Sequence, residues 1–148
     1  MIEDWEHVAR VIFSPKIIYK GRLLAEAFEL RAQLREDYVS VLRMAVDGWM
    51  NDMYGIPERR NRALYGYADM NVGEIRALRL RMVEFDVKET NYEMIRSHAG
   101  IFIRVNGEQL IGGQHLTTLP EGASEDFILL AIKQQLALLA QRGLHQAG

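Results

Sequence analysis

The chain of 148 residues is 49% hydrophobic and 26% charged, carries a formal charge of -2 and contains no cysteine. Those values are globular averages and the length suits a single domain over 1–148, which excludes extensive disorder and leaves little room for a second core. The near-neutral balance speaks against nucleic acid as a partner, and the missing cysteines remove disulfides, thiolate nucleophiles and cysteine-ligated metals.

The N-terminal stretch MIEDWEHVAR is acidic and amphipathic, and no run approaches ~18 apolar residues, so the expectation is a soluble cytoplasmic protein with neither leader nor membrane span. Trp5, Val8, Ala9 and Ile12 place a short helix over Ile2 to Ile12, stopped at Ser14-Pro15. Lys16 to Lys20, KIIYK, closed by Gly21, predicts a strand. From Arg22 to Tyr54, apolar side chains at Ala27, Leu30, Leu34, Tyr38, Val41, Ala45 and Trp49 recur every ~3.7 residues and predict one long helix. Straight, it would measure about 50 Å in a domain about 40 Å across. It therefore bends near Asp47-Gly48 or projects to pack against a second copy. Tyr54-Gly55-Ile56-Pro57 predicts its end, with PERRNR as a charged loop.

Ala63 to Ala68, ALYGYA, predicts a strand with Tyr65 and Tyr67 on one face and a glycine where another backbone approaches closely. Asn71 with Glu74 forms a capping box opening a short helix through Ile75 and Leu78. Leu80 to Val87 predicts a strand. Ile101 to Val105, Asn106-Gly107 and Glu108 to Ile111 predict a hairpin with a type I′ turn. Ser124 caps a final helix ending near Gly143. Its six consecutive apolar residues, Phe127 to Ile132, require burial on more than one side, by the sheet or by a partner chain. The order of elements predicts an α+β fold: a mostly antiparallel sheet with one long helix and a C-terminal apolar helix packed on it.

The four histidines, His7, His98, His115 and His145, are scattered, so no metal site is expected, and no phosphate loop, nucleophile elbow or dinucleotide fingerprint is present. No motif requires a cofactor. Arg59, Arg60 and Arg62, followed by Tyr65 and Tyr67, form the dense basic cluster of the chain. Arginine beside aromatics suits a phosphate, nucleotide or carboxylate, although a solvated loop before a strand has the same composition. With Trp49 and Tyr54 these residues make the candidate interaction surface. The reading is a small non-catalytic protein that binds another protein or itself, a homodimer being the simplest case.

Asp47-Gly48-Trp49-Met50, Tyr54-Gly55-Ile56 and Arg60 to Tyr65 in RNRALY resemble a pattern in small phage and prophage proteins of unknown role, which implies a mobile-element accessory protein. The pattern covers about 20 of the 148 residues. Tyr19-Lys20-Gly21 is similar to the aromatic-basic-glycine strand that precedes the pattern there. The element order also resembles ADP-ribosyltransferase-like folds, in which an early basic strand residue, a middle strand and a late glutamate bracket nicotinamide dinucleotide. That resemblance implies an enzyme, or an inactive relative, binding the dinucleotide near Lys20, Arg62 and Tyr65. The chain has no Glu-x-Glu pair in its later part, which leaves Glu108 and Glu121 as the late glutamates.

Overall fold

The computed structural model describes residues 1–13, 17–60, 63–90, 92 and 94–147, with residues 57–60 described by backbone alone. Among the described residues nine strands and three α-helices follow in order: β1 His7–Phe13, β2 Ile18–Tyr19, β3 Arg22–Leu23, β4 Val39–Arg43, α1 Trp49–Arg60, β5 Leu64–Asn71, α2 Val72–Arg76, β6 Val83–Glu89, β7 His98–Val105, β8 Glu108–Gln109, α3 Glu125–Gln141 and β9 Leu144–Gln146. Short 3₁₀ turns cover Ala25–Phe28 and Ala32–Leu34. The main sheet has strand order β6-β7-β4-β1-β5-β9, with β8 paired to β7, and every neighbouring pair is antiparallel. The protein is thus α+β, as the sequence predicts.

The long helix over Arg22 to Tyr54 does not form. The same segment supplies β3, two 3₁₀ turns, β4, which is one of the two central strands, and the start of α1. Val39, Val41 and Leu42 are buried, whereas Leu34, on the predicted stripe, is 60% exposed. β-branched residues flanking Ser40 suit a strand covered on both faces, and that burial outweighs the helical spacing. Arg35 adopts a left-handed conformation and Gly48 has φ of 87°, so no helix passes either point. At Asp47-Gly48, where a bend or break in that helix is predicted, there is no preceding helix to break, and α1 begins just beyond, at Trp49. α1 runs through Gly55 and Pro57 to Arg60, so neither the predicted stop nor a loop from Pro57 is observed. Pro57 has no backbone N–H, so α1 lacks the bond that residue 57 would otherwise donate to the residue 53 carbonyl.

The helix predicted over Ile2 to Ile12 is likewise replaced, by β1. Val8, Ala9, Val11 and Ile12 are all buried because a central strand has a core on each face. The larger core lies under α3 and includes Val8, Ile12, Phe28, Val41, Ile101 and Leu136. On the opposite face a smaller cluster packs Val11, Leu42, Met53 and Ile95 with Trp49, Ile56, Leu64 and Tyr67 of α1 and β5. The predicted stop at Ser14-Pro15 and the strand start at Lys16 lie outside the described residues. Within KIIYK the strand covers Ile18–Tyr19.

Local signals with short reach are realised. Asn71 accepts from the Glu74 N–H at 2.9 Å and opens α2, and Ser124 accepts from the Phe127 N–H at 3.3 Å and opens α3. Asn106 and Gly107, with φ of 51° and 82°, turn β7 into β8. A Cβ at Gly66 would overlap the His145 carbonyl, so glycine in β5 is what allows β9 to lie against it. β6 starts at Val83, with Val83, Phe85 and Val87 buried in alternation.

At one end of the central pair, Arg43 grips Glu6 through Nε and Nη2 at 3.0–3.1 Å and donates from Nη1 to Glu89 at 2.9 Å. Glu6 is only 3% exposed. Arg76 joins the N-terminus to β6 by donating to Asp4, Asp86 and the carbonyls of Ile2 and Val87. Arg43→Ala leaves the Glu6 carboxylate buried without its cation and should lower unfolding free energy by about 3 kcal/mol, measured by urea denaturation.

The loop before α3 is held by Glu125, which accepts from the Leu116 N–H at 2.8 Å and pairs with His115 Nδ1 at 2.9 Å. The hydrogen bond to Glu125 raises the His115 pKa above its usual 6.5, and the same bond lowers that of Glu125 below 4.5. The His115 contribution is fully present below pH 6.5 and is lost as pH rises through the raised value. The Glu125 contribution is present above pH 4.5 and is lost as pH falls through the lowered value. Amide-exchange protection at Leu116 should therefore be greatest between those limits, and His115→Ala should remove the alkaline decline.

Candidate functional site

β1 and β4 are neighbours at the centre of the sheet, yet they pair only at Val8↔Arg43 and Ala9↔Leu42. Beyond Ala9, β1 stays with β5 as far as Phe13, and β4 stays with β7 from Val39 to Leu42. The two halves of the sheet part there. Arg10 spans the opening: Nε donates to the Ala27 carbonyl at 3.0 Å and Nη1 to the Ser40 carbonyl at 2.8 Å, while the guanidinium lies 5.9 Å from the Phe28 ring centroid. A guanidinium suits this place because its fork of donors satisfies backbone carbonyls on two separate segments.

A cleft of about 410 Å³ opens at this parting, lined by Arg10, Val11 and Phe13 of β1, Ser40 to Leu42 of β4, and Tyr38, Tyr92, Ile95 and His98. That volume is in the range of small-molecule sites. Tyr38 meets His98 edge-on at 5.7 Å between ring centroids, and Tyr92 lies 5.0 Å from His98 on a tilted plane. Thr90 Oγ1 holds His98 Nδ1 at 2.5 Å. Burial, followed by the charges of Asp37 and Glu36, pushes the Tyr38 phenol above its usual 10.0, so at neutral pH it is a hydrogen-bond donor. The cleft thus combines a guanidinium, a phenol and an aromatic group around an apolar floor.

Glu36 is the one carboxylate among the described lining residues. It is engaged by Arg31, accepting from the backbone N–H at 2.6 Å and from Nε and Nη2 at 3.2 and 3.3 Å. Glu108 does not line the cleft and is tied to Thr117 and Thr118 beside the β7–β8 turn. The backbone bond from Thr117 is the main cause lowering its pKa. Glu121 does not line the cleft either.

The residues picked from sequence are distributed differently. Lys20 stands exposed in the β2–β3 turn, 5.4 Å from the Tyr19 ring, and Tyr65 packs against the larger core. Tyr67 belongs to the smaller cluster, T-shaped to Trp49 at 5.1 Å and stacked on His145 at 5.0 Å. Tyr65 and Tyr67 therefore face opposite ways, not together as predicted. The register shift between Ile12 and Phe13, which pair with Gly66 and Leu64, inserts Tyr65 as an extra residue and changes the face. Tyr54 is exposed on α1. Arg62 and the side chains of Arg59 and Arg60 lie outside the described residues. Neither Lys20 nor Tyr65 borders the cleft. Trp49, Ile56 and Leu64, from the phage-like pattern, seat α1 on the sheet.

Arg10, Ser40 and His98 were not singled out from sequence. Their signal is a polar residue interrupting an apolar strand: Arg10 within VARVIF, Ser40 within VSVL, His98 leading into AGIFI. Among the described residues no three His, Asp or Glu side chains gather in a way that would hold a metal ion, and no helix is long and apolar enough to cross a membrane. No family model, curated protein or solved structure matches this chain.

Gly100 of β7 supports the Tyr38 ring, since a Cβ there would come within 2.6 Å of Tyr38 Cδ1. Gly100→Ala should displace that ring and weaken its edge contact with His98. The readout is loss of the Tyr38–His98 cross-peaks in NOE spectra, with the β6–β7 ladder cross-peaks retained.

Proposed function

We propose that this chain is a non-catalytic binding protein whose cleft between β1 and β4 takes an anionic, ring-bearing small molecule of the nicotinamide dinucleotide class. The observation that carries the reading is the meeting of Arg10 with Tyr38, Tyr92 and His98 where the central strands part. A guanidinium is suited to phosphate oxygens, and flat aromatic groups are suited to a nicotinamide or adenine ring. The resemblance to ADP-ribosyltransferase-like folds calls for an early basic strand residue, a middle strand and a late glutamate. Arg10 on β1 and Ser40 on β4 fit the first two better than Lys20 and the ALYGYA strand. At the third position β7 offers His98.

That difference bears on chemistry. A transferase stabilises the cationic sugar that forms as nicotinamide leaves, which requires a carboxylate aimed at the reacting carbon. Glu36 is committed to Arg31, so binding without transfer is the reading that suits this cleft.

Calorimetric titration of the full chain with nicotinamide dinucleotide, and separately with ADP-ribose and nicotinamide, tests it. The expected result is saturable binding, weakened about tenfold, or about 1.4 kcal/mol, by either His98→Ala or Tyr92→Ala. Absence of heat at millimolar dinucleotide and millimolar ADP-ribose sinks the ligand class. Release of nicotinamide above the buffer rate, followed by chromatography, sinks the non-catalytic part.

A further inference from the structure

The C-terminal helix presents a surface that the cleft does not account for. On α3, Ile132, Leu136 and Ala140 enter the core. The opposite side carries Phe127 at 73% exposure, Leu130 at 44% and Leu138 at 65%. With Gln134 and Gln141 these residues recur in steps of three and four, forming one stripe along the helix. No charged residue stands on that stripe. Beside it, a trough runs between α3 and the Arg22 to Glu26 segment, lined by Leu24, Ala25, Leu130, Gln134 and Leu138. Gln141 fastens the trough wall by accepting from the Leu23 N–H at 2.6 Å and donating to the Gly21 carbonyl at 3.3 Å. The apolar run from Phe127 to Ile132 is therefore buried on one side only, and the second cover anticipated from sequence is not supplied by the described residues.

We infer that this face is covered by a second copy of the same chain, with the two α3 helices packed antiparallel about a two-fold axis near Gln134. Three properties favour a copy over a foreign partner. A two-fold interface requires self-complementarity, each contact between residue i and residue j being repeated in reverse. Gln134, midway between Phe127 and Gln141, has an amide that donates and accepts, so it can bond to its own symmetry mate, which neither lysine nor glutamate could do. Along the trough edge, Arg22 and Glu26 are exposed and have no ion-pair partner among the described residues. In an antiparallel arrangement the Arg22 of one protomer is placed to meet Glu26 of its partner, twice. The face also has adequate extent. α3 has 17 residues, about 25 Å at ~1.5 Å each, a length over which two antiparallel helices can pack.

The test is sedimentation equilibrium of the full chain up to high micromolar concentration. The wild type should be dimeric, and Leu138→Glu, at an exposed position that leaves the core intact, should weaken the dimer at least tenfold with unchanged circular dichroism. Arg22→Glu and Glu26→Arg should each weaken it, and their combination should restore it. Gln134→Glu should weaken it near neutral pH and recover as the carboxylates protonate. A monomeric wild type overturns the inference, whether or not the protein then adheres to lipid vesicles. So does a dimer insensitive to both Leu138→Glu and Phe127→Glu, because its contact would lie elsewhere. Neither outcome depends on dinucleotide binding.

Discussion

The architecture depends on how weakly β1 and β4 are joined. Two register pairs, Val8↔Arg43 and Ala9↔Leu42, connect the halves of the sheet, whereas the ladders that join β1 to β5 and β4 to β7 run longer. Arg10 takes over where the ladder stops, donating to Ser40 on one side and to Ala27 on the 3₁₀ turn. Backbone carbonyls at a parting of strands need donors, and an unsatisfied buried carbonyl is costly. The guanidinium meets that need on two segments and in the same stroke brings a positive charge to the cleft.

The parting is directional because the other end of the pair is clamped. Arg43 holds the nearly buried Glu6 and reaches Glu89, and Arg76 fastens residues 2 and 4 to β6. Ion pairs of this kind resist loss of one partner far more than they add net stability, so they specify geometry. Closure at the Glu6 end and opening at the Arg10 end place Tyr38, Tyr92 and His98 along a space that neither half of the sheet fills. The smaller cluster around Met53 borders that space through Val11, Leu42 and Ile95, which ties the seating of α1 to the shape of the cleft.

Legibility followed the range of the interactions concerned. The Asn106-Gly107 turn and the Asn71 and Ser124 caps depend on neighbours a few residues away or on backbone geometry, and each was read in place. The Arg22 to Tyr54 stripe was misread because its apolar residues, though evenly spaced, are distributed over two 3₁₀ turns, β4, the start of α1 and the segments between them. Spacing cannot tell residues that share a helix face from residues that meet different parts of a core. Tyr65 and Tyr67 show the same limit at smaller scale, since one bulge reversed a face. The candidate site was hidden more thoroughly: Arg10, Ser40 and His98 are 30 and 58 residues apart in successive steps, and each resembles a tolerated polar residue until the strands are assembled.

By itself the sequence determined the α+β class, the antiparallel hairpin at Asn106-Gly107, the capped α2 and α3, and an apolar surplus in the first half of α3. Those follow from bond geometry, local hydrogen bonding and composition. Only the tertiary structure decided that β1 and β4 lie side by side at the sheet centre, that they separate after two pairs, and that Phe127, Leu130 and Leu138 remain outside. Strand order and burial are set by which distant segments compete for the same apolar surface, a choice made by the whole chain in three dimensions and absent from any short window of residues.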